Sequence, residues 1–279
     1  INGYFIKLTR SAVLTRFDIN FKMGSVKMLM GLIEPLEAFT NHFADYEVQL
    51  WHPIVGIFIY YTVTEILRDM KVNQNFIKYL TLVHNICLTL FSFSCVILTI
   101  KMLYDNWDYS KIVDKECSYL WTHTTARGIN MAFYLSKYWE FLDTWIIVMK
   151  KKEPTKLQTF HHAGVVWCLA CMAKAEAETF HWVSLLNGFI HTLMYFYFSL
   201  TLFDIRPKWK PVITALQLVQ FVVGISISFP YHVLACSWDI NAGLWGILSS
   251  IQMNTFSVIL AFLFSLFFYE TYLQKKKDK

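Results

Sequence analysis

From residue 51 onward, long apolar runs alternate with short charged connections. The runs at 52–68, 79–102, 129–149, 156–173, 180–202, 211–231 and 244–270 are each long enough to cross a bilayer with some tilt. They predict an all-α fold, a polytopic membrane helix bundle with seven transmembrane helices. Residues 1–50 hold no such run. There, Leu36, Phe39 and Phe43 interleave with Glu34, Pro35, Glu37 and Asp45, the pattern of a short amphipathic helix over 33–46 lying at the interface.

Composition agrees. Of 279 residues, 56% are hydrophobic and 16% charged, where a soluble domain carries about a quarter charged. The mean hydropathy is +0.39. Aromatics reach 18%, as interfacial belts require. The formal charge of +5 comes from clustered lysines. No basic stripe interleaved with aromatics is present, so no nucleic-acid partner is expected.

Loop charge sets orientation. Arg68, Lys71 and Lys78 fill the first connection, Lys150, Lys151, Lys152 and Lys156 the third, and Arg206, Lys208 and Lys210 the fifth. Lys275, Lys276 and Lys277 follow the last run. The alternate connections carry Asp105, Asp108, Asp114 and Glu116, then Glu176 and Glu178. The positive-inside rule makes the odd connections and the C-terminus cytosolic and the N-terminus far-side. Lys7, Arg10, Arg16, Lys22 and Lys27 argue the other way, outweighed by four consistent segments. The expected domains are an N-terminal lumenal and interfacial segment (1–50), the seven-span domain (51–270) and a basic cytosolic tail (271–279). Cys117 and Cys236 are the only loop cysteines, and both fall on the oxidising side. A disulfide between them is expected to clamp spans two–three to six–seven.

Polar residues converge within spans three to six. Gln158 precedes His161 and His162 by three and four residues, so on a helix its amide can reach either imidazole. Lys137, Glu140 and Thr144 share a stripe with Asp143 beside it, and Lys137–Glu140 at i, i+3 suits an ion pair. Asn187 and His191 share a face, with Met194 and Tyr195 one turn on; Thr214, Gln217 and Gln220 form another stripe. At 1.5 Å per residue, His161 lies roughly 8 Å inside the cytosolic end, and Asp143 and Gln217 roughly 10 Å. A cytosol-facing active-site cavity is therefore expected, its mouth ringed by Lys150, Lys151, Lys152, Lys156, Lys208 and Lys210. Such a ring suits a phosphate-bearing carrier such as coenzyme A. An apolar tunnel leading from the cavity is expected to close at the far side of the membrane, with Trp167, Leu186, Phe189, Phe221 and Phe262 as candidate lining.

Four stretches in order carry a resemblance. Lys137-Tyr138-Trp139-Glu140-Phe141-Leu142-Asp143-Thr144, Gln158 to His162, Asn187 to Tyr197, and Thr214 to Gln220 resemble the KxxExxDT, HxxHH, NxxxHxxMYxYY and TxxQxxQ signatures of the very-long-chain fatty acid elongase (ELO) family. Two positions depart: Gln158 stands for the first histidine and Phe198 for the last tyrosine. Glutamine at the first position occurs in some elongases of polyunsaturated chains.

The resemblance implies a 3-ketoacyl-CoA synthase that joins acyl-CoA to malonyl-CoA and releases CO2 and CoA, with no cofactor and no metal. Neutral imidazole can be acylated or take a proton near pH 7. His161 is the expected nucleophile or base with His191 as partner, His162 and Gln158 orient them, and Lys137 and Asn187 are candidate donors. Glu140, Asp143, Thr144, Met194, Tyr195, Thr214, Gln217 and Gln220 complete the set as supporting and substrate-binding residues. Two other readings are a di-iron membrane desaturase or hydroxylase and a seven-span receptor or transporter. The first needs about eight histidines facing one compartment, where four lie in the spans. The second has no sequence repeat to support it. Implied partners are the two CoA substrates, membrane lipid, and the ketoreductase, dehydratase and enoyl reductase of the cycle, with a homodimer left open. Lys276 and Lys277 match the dilysine pattern of endoplasmic-reticulum membrane proteins, where the family resides.

Overall fold

Glycine and proline stay rare inside the apolar runs, and each run is helical, the one at 129–149 as two helices. The computed structural model describes residues 23–106, 119–230 and 243–274. Its helices are α1 (Met23–Asn41), α2 (Trp51–Asp69), α3 (Gln74–Asn106), α4 (Thr124–Trp139), α5 (Phe141–Met149), α6 (Lys156–Lys174), α7 (Thr179–Thr201), α8 (Lys210–Pro230) and α9 (Gly243–Phe268). A 3-10 turn at Tyr119–Thr122 precedes α4, and a π-helical turn at Tyr269–Gln274 follows α9. The chain divides into two units, Ile1–Leu36 and Glu37–Lys279. The described part of the first is the start of α1; the second holds everything below. Cys117 and Cys236, and hence the expected disulfide, lie outside the described residues. So does the basic tail from 275.

Among the described residues, four helical stretches are long and apolar enough to cross a membrane: Gln74–Asn106, Thr179–Thr201, Lys210–Ser228 and Trp245–Gln274. Two of the other three expected spans, 129–149 and 156–173, fall short for identifiable reasons. The run at 129–149 is two helices, because Glu140 sits in a single turn between α4 and α5. There the Asp143 N–H bonds back only three residues, to the Glu140 carbonyl (3.1 Å), and tightens the turn. α6 carries Lys156, Gln158, His161, His162 and Lys174 among its apolar residues. At the N-terminal side, the helix occupies 23–41 rather than 33–46.

Packing explains where the polar residues went. Neighbouring helices follow the circuit α2, α6, α9, α8, α7, α3, closed by α5 between α3 and α2. α4 touches α3, α6 and α7, and its residues 128–134 are all buried. A helix enclosed on every side needs no polar face. The outer faces of α2 and α3 expose Phe58, Tyr79, Leu90 and Phe93, as a surface against lipid would. Close approach sets one glycine: a Cβ on Gly128 would lie 2.6 Å from the Thr40 carbonyl oxygen. Glu37 joins the end of α1 to α4 and α3, accepting from Thr125 Oγ1 (2.9 Å) and lying 3.4 Å from Lys101 Nζ.

Candidate active site

Buried charge is stable only in company. Lys137 and Glu140, each 1% exposed, flank the α4–α5 break and pair at 2.7 Å. Lys137 Nζ also donates to Asn187 Oδ1 on α7 (3.0 Å) and lies 4.1 Å over the Phe133 ring. His191, one turn along α7, has Nδ1 3.1 Å from Glu140 Oε1, within ion-pair range but outside hydrogen-bond geometry.

One turn past the break, Asp143 accepts from His84 Nε2 of α3 (2.9 Å) and from Tyr195 Oη of α7 (2.5 Å). The Trp139 indole N–H donates to His84 Nδ1 at 3.0 Å. Thr144 meets Tyr60 Oη of α2 at 2.9 Å and receives Gln158 Nε2 at 3.3 Å.

α6 begins at Thr155, whose side chain accepts the Gln158 backbone N–H (3.1 Å) as an N-cap. One turn later come His161 and His162, their rings 5.5 Å apart and edge-to-face. Neither Nδ1 has a hydrogen-bond partner.

Two hollows meet at this point. A chamber of about 350 Å³ is lined by Asp143, Gln158, His161, His162, Asn187 and His191, and on its other walls by Met194, Tyr195, Lys210, Thr214, Gln217 and Gln220. An apolar pocket of about 70 Å³ continues from it past Val165, Met172, Leu186, Ile227, Met253 and Leu260. His161, Asn187, Gln220 and Phe221 line both. A polar chamber with a greasy extension, joined at a histidine, fits a ligand with a polar head and an apolar tail.

The family model described as ELO: GNS1/SUR4 family matches residues 46–279. This chain belongs to that family. Among relatives, it is 36% identical over 156 residues to Fatty acid elongase A of Dictyostelium discoideum, covering 53% of this chain and 55% of that protein. It is 29% identical over 232 residues to Fatty acid elongase sre1 of the same organism, covering 78% and 81%. Over 155 residues it is 33% identical to Very long chain fatty acid elongase 2 of Mus musculus, covering 53% and 50%. The first and third matches thus span about half of each relative's length.

Within this family member, several expected residues sit differently from their sequence-based placement. Gln158 turns to Thr144 and makes no hydrogen bond to either imidazole. Lys137, Glu140 and Thr144 do not line the chamber: Lys137 bonds to Glu140 Oε1 and Asn187, Thr144 meets Tyr60 and Gln158, and Glu140 Oε2 is buried without a hydrogen-bond partner. Gln217 donates to Met194 Sδ (3.8 Å), Thr214 lies 3.5 Å from Tyr272 Oη, and Gln220 Oε1 has no partner.

Only Lys210 of the expected lysine ring lines the chamber. Lys151 adopts a positive φ of 58° and turns back to the end of α2, where Nζ donates to the carbonyls of Arg68 (2.6 Å) and Met70 (2.7 Å). Burial, and then Lys152 beside it, lowers the pKa of Lys150. Of the expected tunnel lining, Leu186 and Phe221 face the apolar pocket. Trp167 does not line it, and Phe189 and Phe262 are 48% and 62% exposed on the outer surface.

Sequence reasoning passed over His84, Trp139, Tyr60 and Phe256. His84 was a lone histidine in an apolar run, and only its meeting with Asp143, 59 residues away, gives it a role. Among the described residues, no three His, Cys, Asp or Glu side chains gather as metal ligands would.

Proposed function

We propose that the protein is the condensing enzyme of fatty acid elongation, joining a long-chain acyl-CoA to malonyl-CoA to give a 3-ketoacyl-CoA with release of CO2 and CoA. The observation that carries this reading is the position of His161 at the junction of the polar chamber and the apolar pocket. An acyl chain in the pocket brings its thioester carbonyl to that imidazole and leaves the CoA arm in the chamber. The names of the family relatives point to the same chemistry.

The residues divide the work. His161 attacks the thioester carbonyl, the C–S bond breaks, and CoA leaves with the proton the imidazolium gives up. Malonyl-CoA then loses CO2, and the electrons of that C–C bond form an enolate. Its carbon attacks the acyl group, the C–N bond breaks, and the departing imidazole nitrogen takes up one proton from solvent, the proton the overall reaction consumes, which returns His161 to its neutral form. His191 sits with Nδ1 toward Glu140, which favours the proton on Nδ1 and leaves Nε2 as the base. Lysine only donates, so the Asn187 atom 3.0 Å from Lys137 is its oxygen. The Asn187 amide NH2 is thereby directed elsewhere, as a donor to a developing oxyanion or enolate. Lys137 acts through Asn187 in this scheme rather than on the substrate.

The same reading makes the protein a seven-span resident of the endoplasmic reticulum, with α2, the broken α4–α5 and α6 as the shorter spans. Loop charge supports a cytosolic C-terminus, a lumenal N-terminus and a chamber open to the cytosol beside Lys210. Products pass to a ketoreductase, a dehydratase and an enoyl reductase. No cofactor enters the scheme. The test is release of labelled CO2 from malonyl-CoA by membranes containing the protein, across a panel of acyl-CoAs. Release that depends on acyl-CoA and vanishes in His161→Ala is expected; release indifferent to acyl-CoA overturns the reading.

A further inference from the structure

We propose that His84 is a positioning residue for the condensation, acting through Asp143, with the Trp139 indole fixing its tautomer; this rests on the condensing-enzyme reading above. An indole N–H is a donor only. His84 Nδ1, 3.0 Å from Trp139 Nε1, must therefore present its lone pair, and the imidazole proton resides on Nε2. That N–H donates to Asp143 Oδ1 at 2.9 Å. Tyr195 donates to the other oxygen, Oδ2, at 2.5 Å. One carboxylate on α5 thus clasps α3 on one side and α7 on the other.

The clasp reaches the reacting groups. His84 has a side chain only 1% exposed, whereas Asp143, at 19%, lines the chamber together with Tyr195, His162 and His191. The Tyr195 ring stands edge-on to His84 at 5.9 Å and 87°, and to His191 at 5.5 Å and 77°. His84 therefore governs where the Tyr195 ring sits against His191. Its N–H also keeps the Asp143 oxygens occupied. Without it, Asp143 gains a free acceptor facing imidazoles whose protons the condensation has to move. A buried histidine with this placement touches no substrate, yet it controls the geometry of two groups that do.

Three variants of the full-length protein in membranes test this. His84→Leu removes the donor, His84→Gln supplies an amide N–H near the position of Nε2, and Trp139→Phe deletes the indole N–H while keeping an aromatic ring. Trp139 is 49% exposed, so its replacement opens no core cavity. Loss of a charge-assisted hydrogen bond predicts that kcat falls about 10- to 100-fold in His84→Leu, with KM for acyl-CoA held within about two-fold. His84→Gln is expected to recover most of the loss, and Trp139→Phe to lose about 3- to 10-fold in kcat while melting as wild type does. Wild-type kcat in His84→Leu overturns the inference. So does equal loss in His84→Leu and His84→Gln with Trp139→Phe unaffected, the signature of packing alone. In either case an active wild type leaves the condensing reading standing, while a wild type that releases no acyl-dependent CO2 removes that reading and this inference together.

Discussion

Phe256 of α9 stacks on His161 of α6, with ring planes 13° apart and centroids 6.3 Å apart. Gly164 makes this possible. A Cβ there would lie 2.3 Å from Phe256 Cε2 and 2.9 Å from Cζ, and Phe256 is 7% exposed with little room to retreat. Gly164→Ala should therefore displace the ring that fixes the His161 plane. Overpacking of this kind costs about 1–3 kcal/mol, so both melting temperature and turnover should fall. Gly164→Ala combined with Phe256→Leu should regain stability, which a double-mutant cycle measures. Wild-type melting and turnover in Gly164→Ala would sink the idea.

The Lys137–Glu140 pair makes a second prediction. Lys137→Met leaves Glu140 charged, buried and short of its 2.7 Å partner, a loss of about 3–5 kcal/mol. Adding Glu140→Gln removes the stranded charge and should restore part of the stability. Activity should stay low in both variants, because Asn187 has lost the donor that holds its oxygen. Thermal melts in detergent beside turnover measurements separate the two effects. Equal stability of the single and double variants would contradict this account.

Hydropathy and loop charge placed helices at every expected span, within a few residues at most ends. The break at Glu140 escaped because helical spacing of Lys137, Glu140 and Thr144 is satisfied equally by one helix or by two. The inward side of the site was readable where residues share a helix, as with Lys137–Glu140 and Asn187–His191. It was not readable where partners come from distant spans. Nothing in the sequence near His84 announces Asp143, and nothing near Gly164 announces Phe256. The lysine ring failed for a local reason: Lys151 has a positive φ, and its ammonium caps carbonyls of α2. Loop charge states which side a loop faces, not where each side chain ends.

Away from the chamber, Glu178 precedes α7 and accepts the Leu120 backbone N–H at 2.5 Å. Burial pushes its pKa up from 4.5 to about 7, against the opposing pull of the Leu120 and Trp121 N–H groups. Between those values the folded protein holds a proton that the unfolded chain has released. Stability is therefore fully present below pH 4.5 and declines as pH rises toward 7, by about 3 kcal/mol in all. Glu178→Gln can still accept from Leu120 but cannot ionise. Its melting temperature should exceed that of wild type at pH 7.5 and lose most of the slope between pH 5 and 7. Parallel curves for the two proteins would refute the assignment.

The last prediction concerns the order of the reaction. Two histidines on facing helices, His161 on α6 and His191 on α7, line one chamber. If His161 takes the acyl group first, acyl-CoA alone should release about one CoA per protein before malonyl-CoA is added. If both substrates must be bound together and histidine serves only as a base, acyl-CoA alone releases none. An acyl-imidazole hydrolyses readily in water, so the first scheme needs a dry carbonyl site. Phe256 stacked on His161 and Phe221 between the two hollows supply apolar cover there. The burst should vanish in His161→Ala, and in Gly164→Ala it should give way to slow, continuing CoA release as water reaches the displaced imidazole. Quenched-flow measurement of free thiol distinguishes these courses. No burst from wild type, or a burst that survives replacement of both His161 and His191, would rule out the acyl-enzyme.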